Sequence, residues 1–300
     1  MPGTFTYPDR LGALSPVRHE ALIGASRTAW WDYPARSASA STDLVIAVHG
    51  FRGDHHGLEL FAAFWPEQRL IIPDLPGFGE SAAFAGNAQS IEAYANWLSA
   101  FVEHVRPSEG RVFVLGHSFG SIIVSAALAA GLSVSAAILV NPISAPALEG
   151  PRALLTQLAL TYYRIGAALP NTIGHRWLAH PALVRVMSAT MAKTPDRVLR
   201  AFIHDQHDRY FSSFSSREAV LDAFRTSVSH TVADFLPSVT MPVLLIAAER
   251  DDITPLAAQH ALAERVPAAE LRVIPGVGHL VHYETPAVAV EHMRAFLDRV

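Results

Sequence analysis

The chain has 300 residues, of which 50 % are hydrophobic and only 17 % are charged, so it is a folding sequence and not a disordered one. A formal net charge of −4 offers no basic surface to nucleic acid or anionic lipid, and the absence of cysteine excludes disulfides, thiolate metal sites and a cysteine nucleophile. The length suits one core carrying a sizeable insertion.

The opening stretch MPGTFTYPDRLGAL has neither a charged n-region nor an apolar h-region. It does not read as a secretory signal, and the expected location is cytoplasmic. Residues 17–33 are expected to add one or two antiparallel edge strands, bounded by Pro16, Pro34 and the Ser/Ala run at 37–41. Strand-like runs follow at 44–50, 69–77, 111–118 and 136–142, and again at 242–249 and 270–276. Helical segments are predicted at 55–65, 89–105, 119–130, 256–265 and 285–298. Strands alternating with helices of this length predict a parallel sheet with helices on both faces.

Residues 112–148 contain no Asp, Glu, Lys or Arg, as a membrane span would. Gly116, Gly120, Gly131 and Pro142 divide the stretch into strand, helix and strand, which predicts buried sheet and no transmembrane segment. The alternation stops between 141 and 237. There the pattern predicts helices at 152–169, 172–179, 181–192, 195–210 and 217–235, with prolines 170, 181 and 195 at their boundaries. The expected division is therefore a core of 1–140 and 238–300 with a helical insertion at 141–237.

Chemistry is concentrated at Gly116-His117-Ser118-Phe119-Gly120, a G-x-S-x-G pattern between a predicted strand and a predicted helix. A sharp turn there strains the serine backbone and requires small flanks. It also lifts the Ser118 hydroxyl from the sheet edge toward the amides that open the helix. A serine hydroxyl needs a base to accept its proton. Gly276-Val277-Gly278-His279 places a histidine just after the last predicted strand, and His282 is its rival at the start of the final helix. The base needs a carboxylate to orient its ring. Asp251 and Asp252, after the strand at 242–249, could each serve; Asp251 is assigned that role and Asp252 the N-terminal charge of the next helix. The strand at 136–142 ends in Asn141 in place of an acid. For the oxyanion, the loop His49-Gly50-Phe51-Arg52-Gly53 offers close approach at Gly50 and the Phe51 amide, with the Phe119 amide as second donor. His49 is expected to brace the loop.

These motifs resemble those of the α/β-hydrolase superfamily in its single-chain form with a helical cap. The resemblance rests on HGFRG (49–53), DLPGFGES (74–81), GHSFG (116–120), ERDDITP (249–255) and GVGHLVHYETP (276–286), in the family's order. It implies an α/β fold with an inserted cap and the order Ser118, Asp251, His279. It favours Asp251, four residues before Pro255, and makes Asp74 part of a structural turn. Family dehalogenases and epoxide hydrolases carry aspartate where Ser118 stands. The serine-dependent members include carboxylesterases, carbon–carbon hydrolases, lactonases, cofactor-free haloperoxidases and acyltransferases, and the fold also hosts receptors and inactive members.

The expected function is hydrolysis of a small, apolar carboxylic ester, with no cofactor, no metal and no nucleic-acid partner. Carbon–carbon or lactone cleavage and non-catalytic ligand binding are the alternatives. His204-Asp205-Gln206-His207-Asp208 has metal-ligand spacing but reads as a solvated helix face, and Asp54-His55-His56 reads as a helix start capped by Asp54. Of the aromatics at 162, 163, 177, 202, 210, 211, 214 and 224, some are expected to pack the cap and others to line an acyl pocket.

Overall fold

The computed structural model describes residues 5–86, 88–146 and 153–300, with backbone only at 153–156. After a short helix α1 (Tyr7–Gly12), β1 (Val17–Ile23) and β2 (Ser26–Tyr33) form an antiparallel hairpin at one sheet edge. The remaining core elements alternate: β3 (Leu44–Val48), α2 (Glu59–Phe64), β4 (Arg69–Pro73), α3 (Ile91–Val105), β5 (Val112–His117), α4 (Phe119–Ala129) and β6 (Ala136–Val140). The cap follows, and then β7 (Val243–Ala248), α10 (Leu256–Arg265), β8 (Ala269–Ile274), α11 (Val281–Glu284) and α12 (Pro286–Leu297) close the core. The sheet order is β1-β2-β4-β3-β5-β6-β7-β8, with antiparallel pairing at β1/β2 and β2/β4 and parallel pairing from β4 onward.

The central strands β3, β5, β6 and β7 are buried at every residue, which is why their sequences read as unbroken apolar runs. Within β3, Leu44, Ile46 and Val48 join the core layer beneath α3 and α4, while Val45 and Ala47 join the layer beneath α2 and α12. This period-two division makes the sheet the middle of three layers. Each fully buried Leu, Ile or Phe contributes about 1.5–3 kcal/mol relative to exposure. The charge-free stretch at 112–148 resolves into β5, α4 and β6; no helix among the described residues is long and apolar enough to cross a membrane.

The cap consists of α5 (Ala153–Ala168), α6 (Asn171–Leu178), α7 (Pro181–Met191), α8 (Arg197–Tyr210) and α9 (Arg217–Ser229), inserted between β6 and β7. The expected start of its first helix, at residue 152, lies outside the described residues. The predicted helix at 217–235 ends instead at Ser229, because His230 and Thr231 are extended and Thr231 with Asp234 forms a capping box that opens the first of two 3₁₀ turns. The predicted helix at 55–65 likewise begins as a 3₁₀ turn at His55–Leu58 before α2. The cap is stitched to the glycine turn of the core: Gly79 N–H donates to Ser213 O at 2.8 Å and Ser215 N–H to Gly77 O at 2.9 Å.

Candidate active site

Ser118 lies between β5 and α4 with φ 53° and ψ −118°, a left-handed conformation that costs a non-glycine residue about 1–3 kcal/mol. The flanking glycines are required for different reasons. A Cβ at Gly116 would meet Gly120 O at 2.6 Å, across the turn itself. A Cβ at Gly120 would meet Val48 O at 2.2 Å, so that glycine lets α4 pack against β3. Register places Val48 opposite Gly116 and His117 opposite Val140, so the carboxyl ends of three strands meet at the serine.

His279 reaches the same place from the turn after β8, where Gly276 has φ 73°. Its Nε2 is 2.8 Å from Ser118 Oγ, and its Nδ1 is 2.7 Å from Asp251 Oδ2. Asp251 also accepts from Thr254 Oγ1 at 2.6 Å and from the amides of Ile253 at 2.7 Å and Thr254 at 3.1 Å. Burial alone would raise its carboxyl, but the His279 ring and these hydrogen bonds outweigh burial and hold it below the usual carboxylate range. Asp252 does not cap α10, whose N-cap is Pro255; it pairs with Lys193 of the cap. The expected helix charge is corrected accordingly: Asp252 joins the cap to the acid loop.

The oxyanion candidates flank the serine. A Cβ on Gly50 would lie 3.2 Å from Ser118 Cβ, so only glycine lets this loop approach so closely. Among the described residues no acceptor takes the Phe51 N–H, and Phe119 is the first residue of α4, where helices leave amides unpaired. His49 braces the loop as expected: its Nε2 accepts from Leu75 N–H at 2.9 Å and its Nδ1 contacts Gly50 O at 2.8 Å. Burial holds its imidazole below the ordinary value, with Asp74 opposing in part. Asp74 closes the glycine turn by accepting from His55 N–H at 2.8 Å and Glu80 N–H at 2.7 Å.

Three residues escaped the sequence reading as supports of the site. Asn141, at φ 45°, donates from Nδ2 to His279 O at 2.8 Å and accepts the Ala248 N–H at 2.9 Å, tying β6 to β7 and to the histidine loop. Its signal is its type: asparagine tolerates the left-handed region and satisfies two backbone groups at once. Glu284, inside the GVGHLVHYETP motif, accepts from Gly278 N–H at 3.1 Å and from Thr194 N–H at 3.0 Å, so it links the histidine loop to the cap. Arg52, at φ 65° and fully buried, donates to Leu178 O and Ser212 Oγ at 2.7 Å each and to Tyr163 Oη at 3.1 Å. It bolts the loop at 49–53 to α5, α6 and the segment after α8, and no sequence pattern announces these neutral partners.

Over Ser118 lies a cavity of about 600 Å³ roofed by the cap. Tyr162, Tyr163, Tyr210, Phe211 and Phe224 line it. The other cap aromatics pack elsewhere: Trp177 stacks on Tyr162 outside the cavity, Phe202 meets Phe5 and Tyr7, and Phe214 meets His175.

Two histidine clusters need correction or refinement. In α8 the side chains of Asp205 and Asp208 pair with Arg209 and Arg185, as an exposed face should. His207 is not on that face. It is 3 % exposed and lines the cavity, because Ile203, Gln206 and His207 share the inward stripe of the helix. His282, expected at the start of the final helix, lies instead in the separate short helix α11, where it is buried with its ring 4.2 Å from that of His117, and it too lines the cavity. Asp54 caps the 3₁₀ turn through His56 N–H as expected, and the ligand atoms of Asp54, His55 and His56 lie within 4.8 Å of one another. They are already paired: His55 Nδ1 with Asp74 at 2.9 Å and His56 Nδ1 with Asp54 at 3.1 Å.

A model of the alpha/beta hydrolase family matches residues 45–292. The chain belongs to that family. It is 28 % identical over 298 residues to the dihydrolipoyllysine-residue acetyltransferase component of the acetoin cleaving system of Pseudomonas putida, covering 96 % of this chain and 71 % of that protein. It is 26 % identical over 264 residues to the magnesium-chelatase 30 kDa subunit of Rhodobacter capsulatus, covering 84 % and 85 % of the two. In fold it is similar to a thermophilic esterase from Thermogutta terrifontis, with TM-score 0.73, 23 % identity, and 94 % and 98 % of the two chains covered. This alpha/beta hydrolase therefore shares a scaffold with proteins of several activities, and its own activity must be argued from its site.

Proposed function

We propose that the chain is a serine hydrolase that cleaves carboxylic esters through Ser118, His279 and Asp251. The observation that carries this reading is the continuous hydrogen-bonded chain from Ser118 Oγ through His279 to Asp251, set at the floor of a largely apolar cavity. In this reading the core, 1–140 and 238–300, supplies the chemistry, and the cap, 141–237, supplies the cavity roof.

His279 Nε2 takes the Ser118 proton as Oγ attacks the acyl carbon. Asp251 fixes the tautomer in which Nδ1 carries hydrogen and Nε2 is free to accept. The Phe51 and Phe119 amides receive the developing oxyanion, with the positive end of α4 behind the second. Gly50, Gly116 and Gly120 permit the close backbone approaches on which that geometry depends. The protonated His279 then hands its proton to the departing alkoxide, and it deprotonates the water that releases the acid. No step calls on a cofactor.

The test is labelling by a fluorophosphonate together with turnover of p-nitrophenyl esters of graded acyl length. Labelling confined to Ser118, and a loss of turnover of about 10⁴-fold or more in Ser118→Ala, are expected. A Ser118→Ala protein with near-wild-type turnover would refute the assigned nucleophile. Slow labelling with no ester turnover would favour a ligand-binding role, and turnover of lactones or carbon–carbon substrates alone would move the reaction class.

A further inference from the structure

The cavity has two unlike ends. Next to the oxyanion loop the wall is apolar: the Phe51 ring meets Tyr163 at 6.0 Å, Phe224 at 5.9 Å and Phe119 at 6.3 Å between centroids. Next to His279 the wall is polar. The His117 ring lies 5.2 Å from His279 and 4.2 Å from His282, and His282 and His207 lie 4.4 and 5.6 Å from Tyr283.

The polar end is rich in atoms that lack protein partners. His282 is 5 % exposed, and its Nδ1 has no hydrogen-bond partner. His207 gives its Nδ1 to Ser188 Oγ at 2.8 Å, and nothing among the described residues takes its Nε2. The Gln206 amide, 8 % exposed and lining the cavity, likewise bonds to no described residue. The His282 Nδ1 is sealed from the cavity, but the other ring nitrogen of His282, the His207 Nε2 and the Gln206 amide have no partner among the described residues, and all three side chains line the cavity, so these atoms are available to a polar group of a ligand.

The charge state narrows the ligand. Burial lowers the His207 imidazole to about 3, with His204 and Arg185 adding to the effect. Burial and the neighbouring His117, His207 and His279 rings hold His282 well below its ordinary value. At neutral pH both rings are uncharged, each with one donor and one acceptor nitrogen. Such a wall suits a hydroxyl, which donates and accepts, and offers no counter-charge to a carboxylate. Asp54 and Tyr210 also line this region, and the Asp54 carboxylate further disfavours an anion.

We propose that Gln206, His207 and His282 form a leaving-group subsite for an uncharged hydroxyl, so that the preferred substrates are esters of an alcohol that carries a second hydroxyl group. The side is set by chemistry. The departing oxygen takes its proton from His279 and so leaves on the His279 side, while the acyl chain lies along the aromatic wall. This inference rests on the ester reading for its chemistry, but the subsite itself can be tested by binding.

The experiment compares kcat/KM for ω-hydroxyalkyl and isosteric n-alkyl esters of one acid, across alcohol lengths of two to five carbons. At one length the hydroxyl ester should be favoured by about 10-fold or more, because a site with its own polar atoms unpaired rejects the analogue that lacks the group. His282→Phe should abolish that preference while the acyl-chain preference stays. Binding of the same esters to Ser118→Ala, read by calorimetry, should show the same discrimination without turnover. If neither ester is hydrolysed but Ser118→Ala prefers the hydroxyl ester, the subsite stands and the ester reading falls. If both are hydrolysed and the n-alkyl ester is equal or better at every length, the subsite falls and the ester reading stands. An ω-carboxylate ester outperforming the hydroxyl ester would also overturn it. Should His282→Phe not fold, the wild-type ratio decides.

Discussion

Replacing Asp251 by asparagine removes one charge and almost no volume, yet it should disable the site. In the native protein the carboxylate accepts four hydrogen bonds, from His279 Nδ1, Thr254 Oγ1 and the amides of Ile253 and Thr254. The two amides require oxygen at Oδ1, so the new NH₂ must occupy the Oδ2 position. There it can only donate, and His279 Nδ1 must become an acceptor. The proton moves to Nε2, which then faces Ser118 Oγ at 2.8 Å as a donor and cannot accept the serine proton. A wrong tautomer at this position lowers kcat by about 10⁴-fold. Asp252→Asn is the control: it weakens the pair with Lys193, whose members are about one-fifth exposed, and leaves the His279 contact of Asp251 in place, so it should cost less than about 10-fold. The assay is kcat/KM on a p-nitrophenyl ester, with circular dichroism to establish that both variants fold. If Asp252→Asn proves the more damaging, the assignment of the orienting acid is wrong.

Asn141→Ala should lower stability by about 1–3 kcal/mol, because the Ala248 N–H stays buried without its acceptor, and it should reduce kcat as the histidine loop loses its tie; a urea midpoint and turnover matching wild type would count against a positioning role. The buried His117 and His207, each held to about 3, should make the fold acid-sensitive. Their folded pKa values lie below the unfolded value near 6.5, so the unfolded chain binds more protons and stability is lost as pH falls from about 6.5 toward 3. At pH 5 that amounts to about 2 kcal/mol for each histidine, and equal urea midpoints at pH 7 and pH 5 would contradict the burial argument. If the aromatic wall holds the acyl chain, medium-chain esters should outperform acetate esters, by up to about 0.8 kcal/mol per methylene until the pocket is full. A kcat/KM that falls steadily from acetate upward would refute an extended apolar acyl pocket.

The amino-acid sequence by itself determined the three-layer core and the positions of Ser118, Asp251 and His279. The core and the serine turn follow from short-range physics: apolar runs of strand length, helix periods between them, and glycines where Cβ atoms would collide at the turn of Gly116 and Gly120, while the choice of Asp251 over Asp252 also drew on the family's spacing before Pro255. It also marked the cap as helical, since the strand pattern stops after β6. Tertiary structure alone decided what lies around those three side chains. Arg52 meets partners in the cap more than a hundred residues away, and Asn141 finds its own at Ala248 and His279. His207 reads as surface because its neighbours in sequence are polar, and His282 reads as a helix start from its place after the histidine loop, yet both are buried and line the cavity. The physical reason is the same in each case: a motif encodes backbone shape over a few residues, whereas burial and hydrogen-bond partnership depend on which distant segments pack together.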